Sequence, residues 1–167
     1  MKRAIAVLAG LMMSVLVGPV PAAHALGVGA CTISGTITFT PPDGSAGQGL
    51  WKIDPAVINC EGTWAGPDRF VGPGPFTGAG SYTALGPGGG CLRKIGKGTV
   101  DYALRTTSTI ARVSEPHEFV MAGAGRFATP LLQGSFLATP PYDGDCLLKP
   151  VTRATFVAQA LMVRTSR

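Results

Sequence analysis

Charge is scarce in this sequence. Asp, Glu, Lys and Arg together make up only 14% of its 167 residues, against about 25% in an average globular chain. Disorder driven by like-charge repulsion is therefore excluded. Histidine occurs only at 24 and 117, and Asn59 is the sole asparagine. No C-x-x-C pair is present, so a zinc site of the usual Cys/His kind lacks ligands, and no metal is expected. Outside residues 1–25 no apolar run approaches the roughly 18 residues that a membrane helix needs. No later stretch reads as a convincing helix, although residues 152–163 have a helix-compatible composition of Ala, Gln, Leu and Met, against which Thr152, Thr155, Val157 and Val163 lean toward strand. Glycine is abundant, with 24 residues, but does not fall at every third position, which excludes collagen.

What is present begins with a targeting signal. Lys2 and Arg3 precede an apolar stretch from Ile5 to Val17, Pro19 and Pro21 break it, and Ala23-His24-Ala25 follows. Small residues at both ends of an A-x-A triplet are what signal peptidase accepts. The expected organisation is a signal peptide at 1–25 and one secreted domain at 26–167, with no transmembrane segment after cleavage. Losing Lys2 and Arg3 lowers the formal charge from +5 to about +3. That is thin support for nucleic-acid binding, and none is expected.

Cys31, Cys60, Cys91 and Cys146 all lie in the exported part. An even count in a small exported domain implies disulfides. Of the three possible pairings, Cys31–Cys60 with Cys91–Cys146 joins neighbours with the least rearrangement and is favoured.

Strand signals recur along the chain. Cys31, Ile33, Gly35, Ile37 and Phe39 alternate with Thr32, Ser34, Thr36, Thr38 and Thr40, the pattern of a half-buried strand. Trp51, Ile53 and Val57 suggest a second strand, which Pro55 makes an edge or a bulge. Phe76, Gly78, Gly80 and Tyr82 are in phase at period two. So are Phe119, Met121, Gly123, Gly125 and Phe127, and then Leu132, Gly134 and Phe136 beyond a turn at Thr129-Pro130. Glycines in phase with aromatics let a neighbouring ring lie flat across a strand. Val100, Tyr102 and Leu104 mark another strand, and residues 152–163 close the chain as one more. Pro41-Pro42-Asp43-Gly44 and Pro140-Pro141-Tyr142-Asp143-Gly144 carry turn chemistry. The expected fold is all-β: an antiparallel sandwich or barrel of about seven or eight short strands, stapled by disulfides.

Few groups remain for chemistry. His117 sits in Ser114-Glu115-Pro116-His117-Glu118, read as a solvated segment between strands. No G-x-S-x-G elbow accompanies it. The nine acids fall mostly in turn-like segments, although a glycosidase-type carboxylate pair is not excluded by sequence. Gly96-Lys97-Gly98-Thr99 lacks the spacing of a phosphate loop. Asp143-Gly144-Asp145 lacks the regular acid spacing of an EF-hand, so no cofactor is implied. Arg93, Lys94 and Lys97 form the densest basic cluster, read as a loop. With Trp51 and Trp64, whose indoles would stack on sugar rings if exposed, they make up the candidate binding surface. Core packing is the competing reading for both tryptophans.

Two resemblances carry motifs. Gly74-Pro75-Phe76-Thr77-Gly78-Ala79-Gly80-Ser81-Tyr82-Thr83 resembles the G-x-F-T-G-x-Y strand of avidin-like barrels over about ten residues, with an insertion. The tryptophans that line a biotin pocket are mostly missing, so biotin binding is not implied. Gly134-Ser135-Phe136 through Cys146, with Lys149-Pro150-Val151-Thr152-Arg153-Ala154-Thr155-Phe156, resembles small secreted four-cysteine proteins of unassigned function from high-GC Gram-positive bacteria. That resemblance implies export and β structure but no catalytic residue.

The sequence thus points to a secreted non-catalytic binding protein for a cell-wall glycan, a small apolar ligand or a protein partner. The alternatives are an extracellular hydrolase using His117 or a carboxylate pair, and a secreted inhibitor or structural surface protein.

Overall fold

The computed structural model describes residues 25–40, 47–84, 93–122, 124–140 and 151–165. They form β1 (Ala25–Thr40), β2 (Gln48–Ala65), β3 (Asp68–Arg69), β4 (Gly74–Ala84), β5 (Arg93–Arg105), β6 (Ile110–Ala122), β7 (Ala124–Ala128), β8 (Leu132–Thr139) and β9 (Arg153–Thr165). All pairings are antiparallel. β1 pairs with both β2 and β9, which closes an eight-stranded barrel in the order β1-β2-β4-β5-β6-β7-β8-β9. The two-residue β3 hangs on the end of β2. Of the two expected architectures, the barrel is the one adopted. No helix among the described residues is long and apolar enough to cross a membrane.

The alternation seen in the sequence fixes the inside. Cys31, Ile33, Ile37 and Phe39 of β1 are buried against Ala154, Phe156, Ala158, Ala160 and Met162 of β9 and Ile53, Ala56 and Ile58 of β2. The threonines of β1 face outward. Cys31 and Cys60 are directly opposed in the β1–β2 ladder and are joined by a disulfide, their Cα atoms 4.0 Å apart. Cys91 and Cys146, residues 1–24 of the expected signal peptide at 1–25 and the turn motifs at 41–44 and 141–144 lie outside the described residues.

An eight-stranded barrel has an interior just wide enough for side chains. Here that space takes large rings because glycines floor it. The indole of Trp51 lies across β4 and β5, where a Cβ on Gly98 would sit 2.7 Å from its Cζ2. A Cβ on Gly96 would sit 2.2 Å from Cε1 of Phe119. Glycines in phase with aromatics therefore do what the sequence pattern suggests.

Of the edge or bulge expected at Pro55, the bulge is found, inside a strand paired on both sides: Asp54-Pro55 is inserted where β1 and β4 each supply one residue. Two expectations change. The strands are longer than "short" implies, reaching 18 residues in β2. Arg93–Lys97 and Ser114–Glu118, read as loops, lie within β5 and β6. Pro116 is tolerated because the β6–β7 ladder begins only at Glu118, so Pro116 belongs to a stretch paired on one side.

Candidate functional site

The pleat of β5 divides the basic cluster. Val100 and Tyr102 face inward, and counting back by twos puts Gly98, Gly96 and Lys94 inward as well. Arg93, Ile95 and Lys97 face solvent. Lys94 is only 1% exposed. Its Nζ lies 4.8 Å from the ring centre of Phe39 and 4.7 Å from that of Tyr82, a favourable place for a cation over aromatic faces. Burial lowers its pKa.

Trp51 is also 1% exposed, and its Nε1 donates to the carbonyl oxygens of Ser81 and Lys97 at 3.1 and 3.2 Å. It is a core residue. Trp64, near the opposite end of β2, is half-buried against Phe70, with the Arg164 guanidinium 4.4 Å from its ring centre. The five residues singled out by sequence therefore do not make one surface. Two are inside, one is at the far rim, and only Arg93 and Lys97 share the outer face of β5.

The interior holds two more ionisable groups on β6. Glu115 accepts hydrogen bonds from the Tyr102 hydroxyl, from Thr129 Oγ1 at 2.7 Å and from the Leu131 amide at 3.1 Å. These bonds tie the β7–β8 turn to β5 and β6 just where the β6–β7 ladder stops. Burial, and secondly the bond to Glu115, raises the Tyr102 pKa. His117 is 6% exposed and lies among the rings of Trp51, Phe119 and Phe127, with centroids 5.5, 5.9 and 5.6 Å away. Burial pushes its pKa down to about 4. Nδ1 has no hydrogen-bond partner among the described residues. The expectation of a solvated loop histidine is thus overturned: the period-two phase running back from Phe119 carries His117 into the core. Glu115 faces inward and Glu118 outward, so these carboxylates occupy opposite faces of one strand. No three metal-ligating side chains converge among the described residues.

One interior pocket among the described residues holds about 40 Å³, lined by His117, Phe76, Phe119, Phe127, Phe136 and aliphatic neighbours. On the outer face an open hollow of about 670 Å³ crosses β4 to β8. Its outward side chains are Ser81 and Thr83 of β4, Ile95 and Lys97 of β5, Glu118 and Val120 of β6, Arg126 of β7 and Gln133 of β8. Ile95 and Val120, 47% and 53% exposed, are directly paired and form an apolar floor. Lys97 pairs with Glu118 in the same ladder.

The sequence matches no known family model, and none of the curated proteins matches it.

Of the hollow's residues, sequence reasoning singled out only Lys97 as a binding candidate. The others come from five strands, and register alone brings them together. A local signal did exist for part of it. Extending the inward phase of Val100 and Tyr102 back through two glycines makes Ile95 and Lys97 outward neighbours.

Proposed function

We propose that this is a secreted, non-catalytic binding protein that takes its extracellular partner on the outside of the barrel. The observation that carries this is the contrast in space. The interior pocket of about 40 Å³ holds a few waters, whereas the outer hollow of about 670 Å³ falls in the range of ligand sites. A small apolar ligand in the core is correspondingly disfavoured. The Cys31–Cys60 bond is consistent with an oxidising, extracellular setting, and the signal-like segment 1–25 supplies the route. The polar interior supports a non-catalytic role: three donors already occupy Glu115, and rings enclose His117.

Retention on an insoluble cell-envelope fraction tests this. Val120→Arg, which fills the hollow, should abolish retention, while Ile53→Val in the core should leave it intact. Equal retention of Val120→Arg would sink the outer-face assignment. Turnover of a glycoside or ester that His117→Gln abolishes would sink the non-catalytic one.

A further inference from the structure

Charge is unevenly spread around the barrel. β1 and β8 contain no charged residue, and β9 has only Arg153 and Arg164 near its two ends. These three strands are neighbours. Every other set of three neighbouring strands includes β2, β5, β6 or β7, which expose Lys52, Lys97, Glu118 and Arg126. The uncharged strip is also where apolar side chains gather on the outside. Val28 pairs with Val163, Ala30 with Leu161 and Leu137 with Val157, and the five larger of these are 42–65% exposed. We infer that this strip is a contact between two copies of the chain, related by a two-fold axis that passes through Gln159. The inference stands apart from the hollow over β4 to β8, which shares only β8 with the strip.

A two-fold contact sets a patch against itself, so the patch must be self-complementary. A patch of one charge repels its own copy. Hydroxyl and amide groups both donate and accept, so Thr32, Ser34, Ser135 and Gln159, which lie among the apolar pairs, can bond to the same groups of a second copy. A bilayer would leave them without partners. Curvature sets the position of the axis. Neighbouring strands of an eight-stranded barrel turn by about 45°, so β9 is the crest of the strip, and β1 and β8 fall away on either side. Thr155, Val157, Gln159, Leu161 and Val163 face outward along that crest, with Gln159 at the centre. Antiparallel crests put Gln159 against its own copy and Val157 against Leu161 of the second copy. They also keep Arg153 away from its own copy, while Arg164 is turned over Trp64. Thr32 Oγ1 donates to Gln159 Oε1 at 3.2 Å, which orients the amide with its N–H groups toward the contact. The crest is about 27 Å long at roughly 3.4 Å per residue. With the near sides of β1 and β8 it buries on the order of 800–1,000 Å² over both copies, the size of a weak, reversible dimer.

Sedimentation equilibrium of the purified exported protein tests this. A monomer–dimer equilibrium with a Kd on the order of 10–100 µM is expected. It should change less than about threefold between about 50 and 500 mM salt, because no charge lies in the contact. Gln159→Glu keeps the side-chain shape but sets like charges against each other, and should weaken the dimer at least about tenfold with an unchanged melting curve. Gln159→Lys should do the same, and an equimolar mixture of the two variants should restore association as a heterodimer. Leu161→Ala, which brings in no charge, should weaken the dimer about tenfold and carries the test if the charged variants melt early. Ile110→Glu, at an exposed apolar site on β6, should behave as the parent does. A protein that stays monomeric up to about 500 µM overturns the inference, and monomers that float with neutral phosphatidylcholine vesicles assign the strip to a bilayer instead. A dimer unmoved by the Gln159 variants, or one that responds steeply to salt, overturns it as well, because either result places the contact on the charged strands.

Discussion

Trp51 lies across Gly98 so closely that a Cβ there would meet Cζ2 of the indole at 2.7 Å, with the Ala79 carbonyl oxygen at 2.1 Å. The ring could turn away, but the backbone oxygen could not. Gly98→Ala should therefore destabilise the barrel by at least about 1–3 kcal/mol, the usual cost of overpacking. Thermal melting followed by tryptophan fluorescence would read both the loss and the displaced indole. An unchanged melting temperature would mean that β5 shifts freely past β4, contrary to the Trp51 Nε1 bonds to both strands.

Glu115 is the second place where one side chain joins several elements. Removing it in Glu115→Ala leaves the Tyr102 hydroxyl, Thr129 Oγ1 and the Leu131 amide without their common acceptor. Buried donors left unpaired cost about 1–3 kcal/mol each when water cannot reach them. A net loss of about 3 kcal/mol is expected, with faster hydrogen exchange at Leu131. Tyr102→Phe should cost about 1 kcal/mol. The double variant should lose less than the sum, because both changes break the same bond. Strict additivity in denaturant titrations would show that Tyr102 and Glu115 act independently.

Much of the interior was readable before any coordinates. Phe76, Gly78, Gly80 and Tyr82, taken as one phase, do face one interior, and the sequential pairing of Cys31 with Cys60 is found. Closure was not readable. It depends on β1 meeting both β2 and β9, a pairing between the two ends of the described chain that no local pattern encodes. Polar residues hid the rest. Lys94 and His117 occupy core phases of β5 and β6, yet residues of their type are usually solvated. The outer hollow was illegible for the opposite reason: its residues look like ordinary strand exteriors until five strands are set side by side.

The Cys31–Cys60 bond closes a loop of 29 residues by sequence separation and ties β1 to its sequence neighbour β2. Replacing both cysteines by alanine should lower stability by about 3–4 kcal/mol on the chain-entropy account. The comparison is a denaturant midpoint with and without the bond, the slope being checked for constancy. A midpoint unmoved by the double replacement would show that the β1–β2 ladder alone holds these strands together.

Acid should loosen the core through His117. Its ordinary pKa of 6.5 falls to about 4 in the barrel because burial penalises the cation. The unfolded chain then binds more protons than the folded one between these values, so stability rises with pH across that window. The contribution is complete above pH 6.5 and is lost as pH falls toward 4, a change of about 3 kcal/mol at 1.36 kcal/mol per unit. The groups facing the imidazole are the rings of Trp51, Phe119 and Phe127. Glu115 is the ionisable neighbour on the same inward face of β6, already held by three donors. Asp68 acts in a lower window. Hydrogen bonds from Thr107, Ser108 and Thr106 hold its pKa at about 2 instead of 3.8, so its contribution is present above 3.8 and fades as pH drops toward 2. His117→Phe should flatten the stability profile between pH 6.5 and 4 while leaving the fall below pH 4 in place. Denaturant midpoints measured at half-unit steps would separate the two, and a His117→Phe profile parallel to the parent's would assign the acid sensitivity to some other group.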